Sequence, residues 1–202
     1  MTNVISISAN AGTMQNNRKD KTMESKMKLV EMSEGCSVNL PCLRFYHPNA
    51  KGTGCAMVMK LRPADATQDG FIVVSFANQM TVGNPYGDNP TFPKFDWENK
   101  VDVVLDFNDL CVILQVLRGE TESIHEGRGI FHKYKECCQR IHIRHLIDPV
   151  CGYSFEVFET PANGCDEKCA HMLLSPAESL GILESIAGSM YLIAFGSLYA
   201  TA

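Results

Sequence analysis

Between residues 40 and 105 apolar and polar positions alternate with a period of two, the spacing at which successive side chains point to opposite faces of a strand. Leu40, Cys42, Arg44 and Tyr46 share one face of a first segment and Leu43 and Phe45 the other, up to a stop at His47-Pro48-Asn49. In residues 55–62, Cys55, Met57, Met59 and Leu61 alternate with Ala56, Val58, Lys60 and Arg62, so both cations share a face. Residues 70–78 are apolar at nearly every position and predict a strand covered on both sides. Residues 100–105 send Val101, Val103 and Leu105 inward. The period then changes. Residues 107–117 predict a helix with Asp106 as N-cap, Asp109 at its third position and Gly119 past its end.

The second half repeats this order, with candidate strands at 123–126, 129–135, 139–147 and 153–159 and a short one at 171–174. Within the third, Ile141, Ile143 and Ile147 fall on one face and Arg140, His142 and Arg144 on the other. Ser175-Pro176-Ala177-Glu178 is a capping box with proline at the first helical position, opening a helix that runs to about Phe195. The junction at 104–109 aligns with that at 173–178, cap on cap and acid on acid, which suggests an internal duplication of strands followed by a helix. The pattern predicts one α+β domain over residues 35–202, built from two sheets with helices between them. Residues 1–34 lack periodic apolar spacing and read as a flexible tail. No acid precedes Asp20, which permits an organelle-targeting segment although arginines are few. The last helix is apolar on nearly every face, but Glu184, Gly181 and Gly188 interrupt it. The expected environment is therefore its own sheet and a neighbouring subunit, with Ile186, Met190 or Ile193 facing outward, and not a membrane.

Composition narrows the function classes. A chain of 202 residues with 45% hydrophobic and 20% charged residues is neither disordered, collagen-like nor a polytopic membrane protein. Its net charge is −5, yet residues 35–64 contain no acid and carry Arg44, Lys51, Lys60 and Arg62. Residues 125–145 hold Arg128, Lys133, Lys135, Arg140 and Arg144 against two glutamates, with four histidines. Two basic segments on an acidic body are what a groove for a polyanion produces, or ordinary patchiness. Nine cysteines without a secretory leader read as reduced thiols, and Cys111, inside an apolar helical run, reads as a small core residue. Cys165 and Cys169 with His171 lack the Cys-x-x-Cys spacing of a zinc site, so no metal is expected. Phosphate-loop, nucleophile-elbow and zinc-protease motifs are absent, which points to a non-enzyme without cofactor. Residues 92–100 interleave Phe92, Phe95 and Trp97 with Lys94 and Lys100. Such rings and cations hold unpaired bases, or else the rings anchor the loop to the core.

Lys51-Gly52-Thr53-Gly54-Cys55-Ala56, then Gly70 through Ala77, then Phe95-Asp96-Trp97-Glu98-Asn99-Lys100, resemble in order and spacing the Whirly family of single-stranded-DNA-binding proteins. The related kinetoplastid mitochondrial RNA-binding proteins share that fold, and the resemblance spans about residues 37–196. It implies two four-stranded antiparallel sheets, each followed by a helix, in a tetramer, homo- or hetero-oligomeric, with the helices at its centre. It also implies that the Lys51-Gly52 strand and the Phe95-Asp96-Trp97 segment lie where single strands cross the sheet edges. Thr53 replaces the second lysine of the family's Lys-Gly-Lys-Ala-Ala-Leu motif and Gly54 its first alanine, which weakens the phosphate contact. Lys60 and Arg62 compensate. The reading is thus an organellar protein, mitochondrial or else of another organelle or the nucleus, binding single-stranded RNA or DNA through Lys51, Lys60, Arg62, Phe76, Lys94, Phe95, Trp97, Lys100, Lys133, Lys135, Arg140 and Arg144. Its alternatives are a structural subunit of a mitochondrial ribosome or other ribonucleoprotein, and a thiol or zinc protein.

Overall fold

The computed structural model describes residues 42–84, 86, 89–148 and 151–196, so the expected tail and the start of the first strand lie outside the described residues. Among the described residues nine strands form two antiparallel sheets. In the first, β1 (Cys42–His47), β2 (Cys55–Arg62), β3 (Phe71–Thr81) and β5 (Val101–Leu105) lie side by side in that order. A two-residue strand, β4 (Lys94–Phe95), pairs with the far end of β3, so this sheet exceeds the four strands that the resemblance implies. The second sheet has the order β6 (Ile130–Lys133), β7 (Cys137–Leu146), β8 (Gly152–Pro161), β9 (Lys168–Leu174). Helix α1 (Phe107–Leu117) follows the first sheet and α2 (Pro176–Phe195) the second.

Both helices start where the sequence places them. Asp106 Oδ1 accepts the N–H groups of Asn108 and Asp109 at 2.9 and 3.1 Å, and Asp109 Oδ2 accepts the Asp106 N–H at 3.1 Å. Ser175 and Glu178 make the same reciprocal box on α2. The last turn of α2 is held by the β2–β3 loop, whose Ala64 and Gly70 N–H groups donate to the carbonyls of Leu192 and Ile193. The Leu192 carbonyl also accepts the Gly196 N–H of the helix's own cap at 3.0 Å.

One contiguous core joins the sheets and helices. The two sheets meet directly where the Phe76 and Phe155 rings pack edge to face, with centroids 5.0 Å apart, so the helices cover the rest of the core and do not separate the sheets. Gln139 adds a polar link between the sheets, donating from Nε2 to the Asp102 carbonyl at 2.9 Å. On α1 the buried stripe is Leu110, Ile113, Leu114 and Leu117, with Val116 beside it. Cys111 lies off that stripe and is exposed, which corrects its reading as a core residue. The strand expected at 123–126 is instead a tight turn over Ile124–Gly127, anchored by buried Ile124. His125 and Glu126 there take left-handed backbone angles, which remove the segment from any strand. The strand expected at 171–174 begins three residues earlier, at Lys168. On α2, Ile182, Ile186 and Ile193 face inward, while Leu180, Tyr191 and Phe195 are 59%, 51% and 73% exposed. The outward apolar positions are therefore not Ile186 or Ile193. By length and composition α2 could cross a membrane; here it packs one face on the protein's own core.

Candidate nucleic-acid interface

The outer face of the first sheet carries a groove of about 380 Å³. Strand register decides which side chains reach it. Arg44 pairs with Val58, Val58 with Ser75 and Cys42 with Lys60, so these residues share the face away from the core, as does Tyr46 opposite Ala56. The groove is lined by the cations Arg44, Lys60 and Lys100 and the rings of Tyr46 and Trp97, above Val58 and Ser75. Lys100 pairs with Asp102 at 3.0 Å. Among the described residues no carboxylate pairs with Arg44, Lys60 or Arg62, whereas the second sheet neutralises its arginines. There Arg140 bonds Glu167 at 3.3 Å and lies over the Phe158 ring, and Arg144 bonds Glu156 at 2.9 Å. Burial acts against ionisation of Glu156, but hydrogen bonds from Ser154 and Arg144 outweigh it and hold the carboxyl below its ordinary range.

The Phe95-Asp96-Trp97 segment is clamped by main-chain bonds. Lys94 N–H donates to Thr81 Oγ1 at 3.1 Å and Asp96 N–H to the Asn78 carbonyl at 2.8 Å. Asn99 donates to the Asp96 carboxylate from both its N–H and its amide, which lowers that carboxyl's pKa. Trp97 is thereby held half-buried along the groove, and Phe95 packs against Tyr46 at 5.7 Å between centroids.

The 49–54 turn, which presents Lys51, is built around two amides. Asn49 Oδ1 accepts the N–H groups of Lys51 and Thr53 at 3.0 and 3.1 Å. Buried Gln79 reaches in from β3: its Oε1 accepts from Asn49 N–H at 2.9 Å and Gly54 N–H at 3.1 Å, and its Nε2 donates to the Asn49 and Thr81 carbonyls. Three of these four bonds fix the turn, and the fourth ties the amide to the end of β3. A Cβ on Gly54 would collide with the His47 carbonyl oxygen and Gln79 Oε1, which accounts for glycine at this point.

Of the twelve residues singled out in the sequence, Lys60, Trp97 and Lys100 share the groove, and Arg62 lies on the same face of β2. Phe95 borders it through Tyr46; Lys51 and Lys94 are exposed on the neighbouring turn and short strand. Lys133, Lys135, Arg140 and Arg144 belong to the second sheet and the turn within it. Phe76 is 1% exposed and packs on Phe155, so its ring cannot meet a base; inward and outward positions alternate along β3, and Phe76 is inward. Two groove residues escaped selection, Arg44 and Tyr46. Their alternation in 40–46 and the acid-free stretch around them were the available signal.

The eight described cysteines are free thiols. Burial pushes Cys55 and Cys137 up to about 11, which keeps both protonated and poorly nucleophilic at neutral pH. Among the described residues no three His, Cys, Asp or Glu side chains are grouped to hold a metal ion.

No protein-family model and no curated protein matches the chain. Solved structures do. WHY1 from Arabidopsis thaliana superposes with a TM-score of 0.61 at 14% identity, over 77% of this chain and 85% of that one. WHY3 from the same plant gives 0.62 at 15%, over 79% and 92%. A guide-RNA-binding protein complex bound to a guide RNA gives 0.52 at 16%, over 80% and 97%, and MRP1/MRP2 of Trypanosoma brucei 0.53 at 13%, over 81% and 92%. At such identities what is shared is the backbone plan: this chain has the Whirly-like α+β fold, common to the WHY1 and WHY3 structures and to the guide-RNA-binding protein complex.

Proposed function

We propose that this protein is a non-catalytic, single-stranded nucleic-acid-binding protein whose principal binding face is the outer face of its first sheet. The observation that carries this reading is the groove in which Arg44, Lys60 and Lys100 surround Tyr46 and Trp97. Cations meet backbone phosphates and aromatic faces stack on unpaired bases, each stacked base contributing about 1–3 kcal/mol. Lys51, Arg62, Lys94 and Phe95 extend this face. Lys133, Lys135, Arg140 and Arg144 form a secondary surface on the other sheet, where Arg140 and Arg144 must first leave their glutamates. The fold shared with a guide-RNA-bound complex supports the substrate class. The resemblance to kinetoplastid mitochondrial RNA-binding proteins supports action in mitochondria, in RNA or DNA metabolism. Assembly as a homo- or hetero-tetramer through the helices is supported by the exposed Leu180, Tyr191 and Phe195 on α2.

The test is equilibrium binding of labelled 20-nucleotide single-stranded DNA and RNA, and of the matching duplex, across a salt series. With about four cations on phosphates, log affinity falls against log salt with a slope of about −3, from roughly −0.7 per contact on single strands. Single strands bind more tightly than duplex, and Lys60→Glu weakens binding and flattens the salt slope. Equal affinity for duplex and single strand at moderate salt refutes the stacking groove. Sequencing the nucleic acid crosslinked to the protein in cells then separates RNA from DNA and identifies the compartment. Recovery of ribosomal RNA alone would instead favour a ribosomal subunit.

A further inference from the structure

The two halves hold each other by a reciprocal contact. His47, the last residue of β1, has its Nε2 2.7 Å from Oε1 of Glu178, the acid of the α2 capping box. His132, on β6, has its Nε2 3.0 Å from Oδ2 of Asp109, the acid of the α1 capping box. A strand of each half thus grips the helix cap of the other. The two contacts differ in setting. His132 is buried and its Nδ1 also meets Tyr134 Oη at 3.3 Å, whereas His47 and Glu178 are about one-third exposed, at 32% and 29%.

From this we infer that His47 is a positioning residue for nucleic-acid binding, acting through β1; the inference rests on the binding face proposed above. β1 is an edge strand, paired with β2 alone among the described strands, and it carries Arg44 and Tyr46 into the groove. Successive residues of a strand point to opposite faces, so one peptide directs the Tyr46 ring to the groove and the His47 imidazole to α2. Beyond His47 the chain enters the Lys51 turn, whose Gly54 packs on the His47 carbonyl. Glu178 cannot swing aside freely, because its Oε2 already accepts from Ser175 N–H at 2.9 Å and from the Ser175 hydroxyl at 2.7 Å. Its Oε1 is left to fix His47. The edge strand is therefore referenced to a rigid helix cap, and the groove's ring and cation are held in place before a strand arrives. Pre-ordering of this kind raises affinity by removing an ordering cost from binding.

The experiment measures binding of fluorescein-labelled 20-nucleotide single-stranded DNA and RNA to the full chain and to His47→Ala, Glu178→Gln, the double variant and His47→Gln. It is run at a temperature where circular dichroism shows every variant folded. His47→Ala and Glu178→Gln are each expected to weaken binding about fivefold, the low end of usual coupling between linked sites. The double variant is expected to bind no worse than the weaker single one. His47→Gln keeps an N–H donor at similar reach and restores the affinity, which a general loss of stability would not allow. Wild-type binding with unchanged affinity in folded His47→Ala and Glu178→Gln overturns the positioning role alone, as does an additive double variant. A wild-type protein that binds neither strand overturns the proposed function and the positioning role with it.

Discussion

Gly54→Ala would give this chain the alanine that the Whirly lysine-glycine motif carries here, and the structure predicts that this change destabilises the protein. The added Cβ would press on the His47 carbonyl oxygen and Gln79 Oε1 and lie 2.9 Å from Pro48 Cα. Two of these three atoms belong to the backbone and cannot rotate away. Gln79 can move only by leaving the N–H groups of Asn49 and Gly54 without their acceptor. Overpacking costs about 1–3 kcal/mol, and a buried donor left unpaired about 1–3 kcal/mol. With part of the strain relieved by shifting Gln79, a net loss of about 2–4 kcal/mol follows. In a domain of this size each kcal/mol moves Tm by about 2–4 °C, so a fall of about 5–15 °C is expected. Thermal melts and urea unfolding measure it. Thr53→Lys, the other departure from the motif, is the contrast: Thr53 is exposed and its hydroxyl bonds only the Asn49 side chain. That variant should melt within about 2 °C of wild type, since exposed changes rarely exceed about 0.5 kcal/mol. It should also steepen the salt slope by about 0.7 if the new lysine meets a phosphate. A Gly54→Ala protein as stable as wild type, or a Thr53→Lys protein that loses as much, refutes the packing argument.

Trp97→Ala should weaken single-strand binding by about 1–3 kcal/mol with little change in Tm; Phe76→Ala should do the reverse, costing about 3–5 kcal/mol of stability while its folded fraction binds normally. Glu178 answers to pH: burial opposes its ionisation, but bonds from Ser175 and His47 prevail, so its folded pKa lies below its unfolded one. Its contribution is complete above the ordinary glutamate value near about 4.3 and is lost as pH falls through the lower folded value. The difference in urea midpoint between wild type and Glu178→Gln should therefore shrink from pH 7 to pH 3, and a constant difference would contradict the assignment. A glutamate at Leu180, Tyr191 or Phe195 should reduce the mass seen by light scattering without unfolding the protein, and a monomeric wild type at micromolar concentration would exclude a homotetramer.

Local rules were enough for the elements themselves. Period-two alternation located β1, β2 and β5, and the side chains of Asp106 and Ser175 announced both helices, because a cap is a bond between residues three apart and is written wholly within a short segment. Resemblance in motif order supplied the two-sheet plan that the solved structures share. What sequence could not settle depended on partners far along the chain. Phe76 and Trp97 are both aromatic and both lie near strands, and only the meeting of the sheets puts Phe76 against Phe155 and leaves Trp97 on the groove. Arg44 and Arg140 are alike in sequence, yet Arg140 finds Glu167 across the second sheet, while no described acid lies opposite Arg44. The 123–126 segment alternates acceptably as a strand, and burial of Ile124 together with the left-handed turn at Gly127 overrides that preference. Gln79 looks like any polar residue at the end of a strand until β3 carries it beneath the Lys51 turn. Burial, charge neutralisation and hydrogen-bond partners are properties of pairs, and the chain acquires its pairs only on folding.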